Sequence, residues 1–139
     1  MEIRLNDGIR EIIRRLSLDY LFIDTHPGVN EETLLSIAIS DVLLVVLRPD
    51  QQDYLGSAVT IDLARRLDVP DMRIIVNKAP PSLDRKLVQQ KIEATFEVPV
   101  LAVLPLCEEM ANVASENLFV LCHPEHELTK SLTAVAAYL

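Results

Sequence analysis

At 139 residues, half of them hydrophobic, the chain is long enough to bury one core, and its formal charge of −8 excludes a broad nucleic-acid surface, which needs clustered Lys and Arg. Only Cys107 and Cys122 are present, without close metal-ligand spacing, which fits a reduced, cytoplasmic compartment better than a disulfide framework. No signal-peptide pattern occurs, and no apolar run approaches the length of a membrane span.

Residues Asn6 to Leu16 predict a helix, with Asn6 or Asp7 as its cap. Leu5, Ile9, Ile12, Ile13 and Leu16 form one apolar stripe, and Arg10, Arg14 and Arg15 read as its solvated face. Tyr20-Leu21-Phe22-Ile23 then runs into Asp24, and Pro27-Gly28 follow. A short apolar run bounded by turn residues suits a strand buried on both faces. Asp24 would then sit at the C-terminal edge of a sheet, where open α/β folds bind ligands and an acid can hold Mg²⁺ beside a phosphate. The simpler alternative is an acid that only caps the following turn.

Asn30 is expected to cap a helix running to Ile39, with Glu31 and Glu32 in its first turn. Val42–Leu47 is the strongest strand signal, closed by Pro49. A helix from about Gln52 to Leu67 is expected to turn Leu55, Ala58, Val59 and Leu67 inward. A strand at Arg73–Val76 ends in Asn77-Lys78-Ala79-Pro80-Pro81. Ser82 can cap a helix to Phe96 with Leu87, Val88, Ile92 and Phe96 on one face. Val100–Leu104 is a fourth strand, stopped by Pro105. A short helix from Glu108 to Ser115 and a brief apolar run at Leu118–Leu121 follow. A last helix comes after Pro124, with Leu128, Leu132, Val135 and Leu139 on one stripe. Strands alternating with helices predict a single α/β domain, a mostly parallel sheet with helices on both faces. No Gly-rich phosphate loop is present, since the glycines are Gly8, Gly28 and Gly56 alone.

The apolar strand into Asp24 with Pro27-Gly28, the strand ending Leu47-Arg48-Pro49 before a helix with Ser57 near its start, Ile75-Val76-Asn77-Lys78, and Val103-Leu104-Pro105 before a helix occur in one order. In that order and spacing the chain resembles the MinD/ParA family of deviant Walker (P-loop) ATPases, over the C-terminal half only. The lysine-rich phosphate loop and the first switch region have no counterpart among these residues. The resemblance implies either part of a longer ATPase or a short product that lost the phosphate-binding half. It implies ATP and Mg²⁺ as cofactors of a complete protein. Asp24 would serve Mg²⁺ through water, and Pro27-Gly28 would form a switch turn. Asn77, Lys78, Pro105 and Leu106 would frame adenine: the amide on a base edge, the Lys78 stem along the base face, Pro105 and Leu106 through main chain and apolar contact.

Each residue has a plainer alternative. Asn77 and Lys78 can be a strand-end turn, Pro105 a strand terminator, and His26 a turn residue rather than a γ-phosphate sensor. Cys122, His123, His126 and Glu127 lack a standard zinc spacing, and a helix start explains Glu125 and Glu127 better. By resemblance the function is a switch that positions cell-division, chromosome or other cargo, with a protein regulator or cargo as partner, and with this chain alone inactive. The alternative is a non-enzymatic interaction module on the same fold. Family members place the phosphate-loop strand between the strand ending at Asp24 and Val42–Leu47. Its lack leaves a gap or forces direct pairing, so a homodimer or higher oligomer is expected. The last helix has one basic residue, Lys130, which gives membrane attachment little support.

Overall fold

The computed structural model describes residues 2–26, 28–113 and 116–139, with side chains from Asp7 onward. Three strands form the sheet: β1 (Val42–Leu47), β2 (Asp71–Ala79) and β3 (Val100–Pro105), in the order β1-β2-β3 and all parallel. Among the described residues seven helices accompany them: α1 (Glu2–Leu16), α2 (Glu31–Ala38), α3 (Gln51–Arg66), α4 (Arg85–Phe96), α5 (Glu108–Val113), α6 (Phe119–Cys122) and α7 (Glu127–Tyr138). Parallel strands need a crossover between them, and α3 and α4 supply the two crossovers. The expected α/β class with a parallel sheet is therefore what forms.

Alternation along the strands sends side chains to two cores. Val45, Leu47, Ile74, Val76 and Val100 meet Ile61 of α3, Ile92 and Phe96 of α4, and Val98. Ile75 and Leu104 meet Phe119, Leu128 and Val135 from α6 and α7 on the other face. The helix caps explain the boundaries. The Thr33 N–H donates to Asn30 Oδ1 (2.8 Å) at α2, and the Asp53 N–H donates to Asp50 Oδ1 (2.9 Å) at α3. At α4 the capping residue is Asp84, not Ser82: it accepts from Lys86 and Leu87 N–H at 2.9 and 3.2 Å. α7 begins one cap after Pro124, with His126 as its N-cap.

Four expectations are corrected. Tyr20–Asp24 forms no strand and pairs with nothing, so the sheet has three strands instead of four among the described residues. Its apolar side chains face solvent, Phe22 at 75% exposure. A strand holds only when a neighbour takes its N–H and C=O groups, and among the described residues no strand, β1 included, pairs with this segment. α1 starts at Glu2, so Asn6 and Asp7 lie inside it, and Ile12, Ile13 and Leu16 of its stripe are exposed. α3 is rotated from the expected stripe: Ser57, Ile61 and Ala64 are buried, while Leu55 and Val59 point outward at 72% and 54% exposure. Small Ser57 and Ala64 let this helix lie close to the strands, and Tyr54 packs edge-on against Phe96 with ring centroids 6.0 Å apart. On α4 Leu87 is likewise exposed, leaving Val88, Ile92 and Phe96 as the inner face.

Candidate functional site

The C-terminal edge of the sheet is built from the ends of β2 and β3. Leu47 pairs with Val76, where β1 stops, and β2 continues three residues further. From Val76 to Ala79 it advances three positions while β3 advances two, from Val103 to Pro105. The extra residue is a β-bulge at Asn77-Lys78, a device that re-aims a side chain. Lys78 has a left-handed φ of +54°, uncommon for a residue with a Cβ. Within the bulge the Lys78 N–H donates to Asn77 Oδ1 (2.9 Å), leaving the amide nitrogen's two N–H donors for another partner. Beyond it the ladder resumes, with the Leu106 N–H donating to Ala79 C=O (2.9 Å). Asn77, Lys78, Pro105 and Leu106 therefore lie on adjacent strand ends. Asn77 and Pro105 are half-buried, while Lys78 and Leu106 are exposed. A polar amide beside a proline and an exposed leucine can meet a flat heterocycle, its edge on the amide and its face on the apolar surface.

The remaining expected site residues among those described lie outside the sheet. Asp24 lies on the unpaired segment and is exposed, as are Thr25 and His26. Gly28 does make a turn, with φ +102°, a conformation that favours glycine, whereas Pro27 lies outside the described residues. Asp24 carries oxygen ligands of the kind Mg²⁺ takes, and the sequence has no Gly-rich phosphate loop.

Two features were missed from sequence. Where β1 leaves the sheet, the Asp53 carboxylate accepts the Arg48 backbone N–H (2.8 Å) and its guanidinium (3.1 and 3.2 Å). The Arg48 side chain first, then its N–H, holds Asp53 below the usual carboxylate range. An acid three residues into a helix whose cap is also an acid was the available signal. The second is a cluster after β3: Cys107, Glu109 and His126 offer one ligand atom each, all within 4.8 Å of one another. Glu109 is held below its ordinary pKa by its own backbone N–H, then by the Cys107 thiol, with smaller contributions from His126 and His123. Cys122, which lacks zinc spacing to the histidines in the sequence, is not in this group, and Glu127 pairs with Arg85 of α4. Glu125 pairs with Lys130 (3.0 Å), so both acids serve the start of α7. A shallow groove of about 280 Å³ lies elsewhere, along the outer edge of β3, lined by Arg85, Lys86, Gln89 and Ser131 among others.

No protein-family model matches the chain. It is similar to an ATP-binding protein of Methanocaldococcus jannaschii, 26% identical over 135 residues, covering 97% of this chain and 48% of that one. It is also similar to the ATP-dependent dethiobiotin synthetase BioD of Bacillus velezensis, 30% identical over 77 residues, covering 54% of this chain and 32% of that one. Among solved structures, the MinD cell division protein of Aquifex aeolicus superposes at TM-score 0.82 and 14% identity, over 99% of this chain and 60% of that one. A chain of the MinC:MinD cell division protein complex of the same organism superposes at 0.81. The fold is thus that of the MinD cell division protein over the part the chain covers. The chain spans half or less of the length of the two curated relatives.

Proposed function

We propose that this chain is the C-terminal portion of a MinD/ParA-like ATPase switch that positions cell-division, chromosome or other cargo in the cytoplasm, and that it does not hydrolyse ATP alone. The observation that carries this reading is the MinD fold over nearly the whole chain combined with an unfinished β1 flank. In the complete switch the 139 residues act as one domain. Asn77, Lys78, Pro105 and Leu106 frame adenine, Pro27-Gly28 form the switch turn, and Asp24 faces Mg²⁺. Mg²⁺ supplies charge neutralisation between phosphate oxygens when bound. The protein's own contribution is orientation, through the bulge at Asn77-Lys78 and through main-chain groups around Pro105. Phosphoryl transfer rests on positioning and electrostatics from a phosphate loop and its lysine, and this sequence contains neither.

Purified chain with Mg-ATP is expected to release phosphate no faster than a buffer blank. Turnover that Asp24→Ala abolishes would overturn the reading. Calorimetry should find weak or no ATP binding, with Asn77→Ala weakening any residual adenosine binding; tight Mg²⁺-dependent binding contradicts it.

A second reading, an interaction module on the same fold, is favoured by the open edge of β1 and by exposed Val46, Tyr20 and Phe22. Both readings include self-association to a homodimer or larger species, and the MinC:MinD complex supports a protein partner. Light scattering across a dilution series tests the assembly; one monomer mass throughout rejects it. Joining the chain to a phosphate-loop half separates the readings, because only the switch then gains ATPase activity.

A further inference from the structure

We propose that Cys107, Glu109 and His126 form a binding site for a Zn²⁺-class transition metal, distinct from any Mg²⁺ carried with a nucleotide. The three ligands come from three places. Cys107 sits in the turn after β3, Glu109 in the first turn of α5, and His126 at the cap of α7. Their ligand atoms already lie within 4.8 Å of one another, and Cys107 Sγ is 3.5 Å from Glu109 Oε2. Tetrahedral coordination with bonds of about 2.0–2.3 Å needs only a modest contraction of that triangle.

The donor set selects the ion. A thiolate, an imidazole and a carboxylate suit Zn²⁺ or Co²⁺, whereas Mg²⁺ and Ca²⁺ take oxygens. The rings are held in place by packing: His126 stands edge-on to buried Phe119 (5.2 Å between centroids), and His123 lies tilted against the same ring (4.7 Å). Cys107 packs against the α6–α7 core from its rim, half-buried, so the sulfur is shielded yet reachable. Three protein ligands leave a fourth position for water.

Metal uptake has a defined exchange. The Cys107 thiol proton leaves to solvent as the sulfur–metal bond forms. His126 Nδ1 now accepts the Leu128 N–H (3.0 Å), which places the proton of the neutral ring on Nε2. Coordination through Nδ1 displaces that N–H directly; through Nε2 it moves the proton to Nδ1, which can then no longer accept. Either way one cap hydrogen bond is exchanged for a metal bond. The bound metal would tie the turn after β3 to the start of α7, immediately beside Leu106.

The metal itself is the probe. Chelator-treated chain titrated with Co²⁺ should take up one equivalent, with a thiolate-to-cobalt charge-transfer band and strong tetrahedral d–d bands. Cys107→Ser should remove the charge-transfer band, and Cys122→Ser should leave it. His126→Asn keeps a good helix cap, and Glu109→Gln keeps its shape; each should weaken Co²⁺ by at least about tenfold with unchanged far-UV circular dichroism. Absence of a thiolate band in the wild-type chain overturns the proposal. So does a band that survives Cys107→Ser, or affinity unchanged in both His126→Asn and Glu109→Gln.

Discussion

The two flanks of the sheet are made of the same residue types and end up in opposite states. Around β2 and β3 the apolar side chains are covered on both faces: Ile74 and Val76 by α3 and α4, Ile75 and Leu104 by α6 and α7. On β1 the second face is covered only in part, by packing of half-buried Leu44 against the α6–α7 core. Leu47 is 1% exposed, whereas its neighbour Val46 is 59% exposed and Val42 is also open. Tyr20–Ile23 also carries a continuous apolar run of strand type, and among the described residues it pairs with no strand. Burial is decided by what partner the fold supplies and not by residue type. A parallel strand in particular needs neighbours on both sides and layers above and below.

Substitutions on β1 give the sharpest contrast. Leu47→Ala should lower stability by about 2–5 kcal/mol, through lost transfer energy and a cavity between β1 and α3, whereas Val46→Ala on the same strand should fall within about 0.5 kcal/mol. Denaturant midpoints measure both, and equal losses would mean that the second face of β1 is covered at Val46 as well. Next in size, Asp50→Ala removes the α3 cap and should cost about 1 kcal/mol by the same measurement.

The Arg48–Asp53 contact makes this flank sensitive to acid. Asp53's folded pKa is depressed, so its contribution is fully present above about pH 4, the unfolded value, and is lost as pH falls through the lower folded value. Asp53→Asn keeps an acceptor oxygen but should flatten the acid limb of a stability–pH curve relative to wild type; identical limbs would contradict the assignment. Smallest is a gain on the other flank: Lys78→Gly relieves a left-handed residue and should stabilise by about 0.5–1 kcal/mol.

These contrasts also show what was legible in the residues. β1, β2, β3 and the helices after them announced themselves through continuous apolar runs, and Asn30 stood out as a cap, because those signals are local. Asn77 and Pro105 were singled out separately, and the fold brings them to adjacent strand ends. The bulge at Asn77-Lys78 was not legible, since it depends on register between two strands. Nor was the exposure of Leu55 and Val59. Two apolar stripes compete on α3, and only packing against β1 chooses the one through Ser57, Ile61 and Ala64. The strand expected at Tyr20–Asp24 is absent for the opposite reason: its apolar signal was real, but a strand needs a partner, and this segment pairs with none. The meeting of Cys107 with His126 spans two helices and a turn, beyond any spacing rule.

Amide hydrogen exchange at high dilution tests the central claim, that β1 is an unfinished edge with its expected neighbour unpaired. Amides of Ile74, Ile75 and Val76 should be the most protected, and those of Leu21–Asp24 should exchange at the rate of an unstructured chain. Protection of Leu21–Asp24 equal to that of β2, at a concentration where light scattering finds monomer, would show that this segment is a strand of the sheet and would contradict the account.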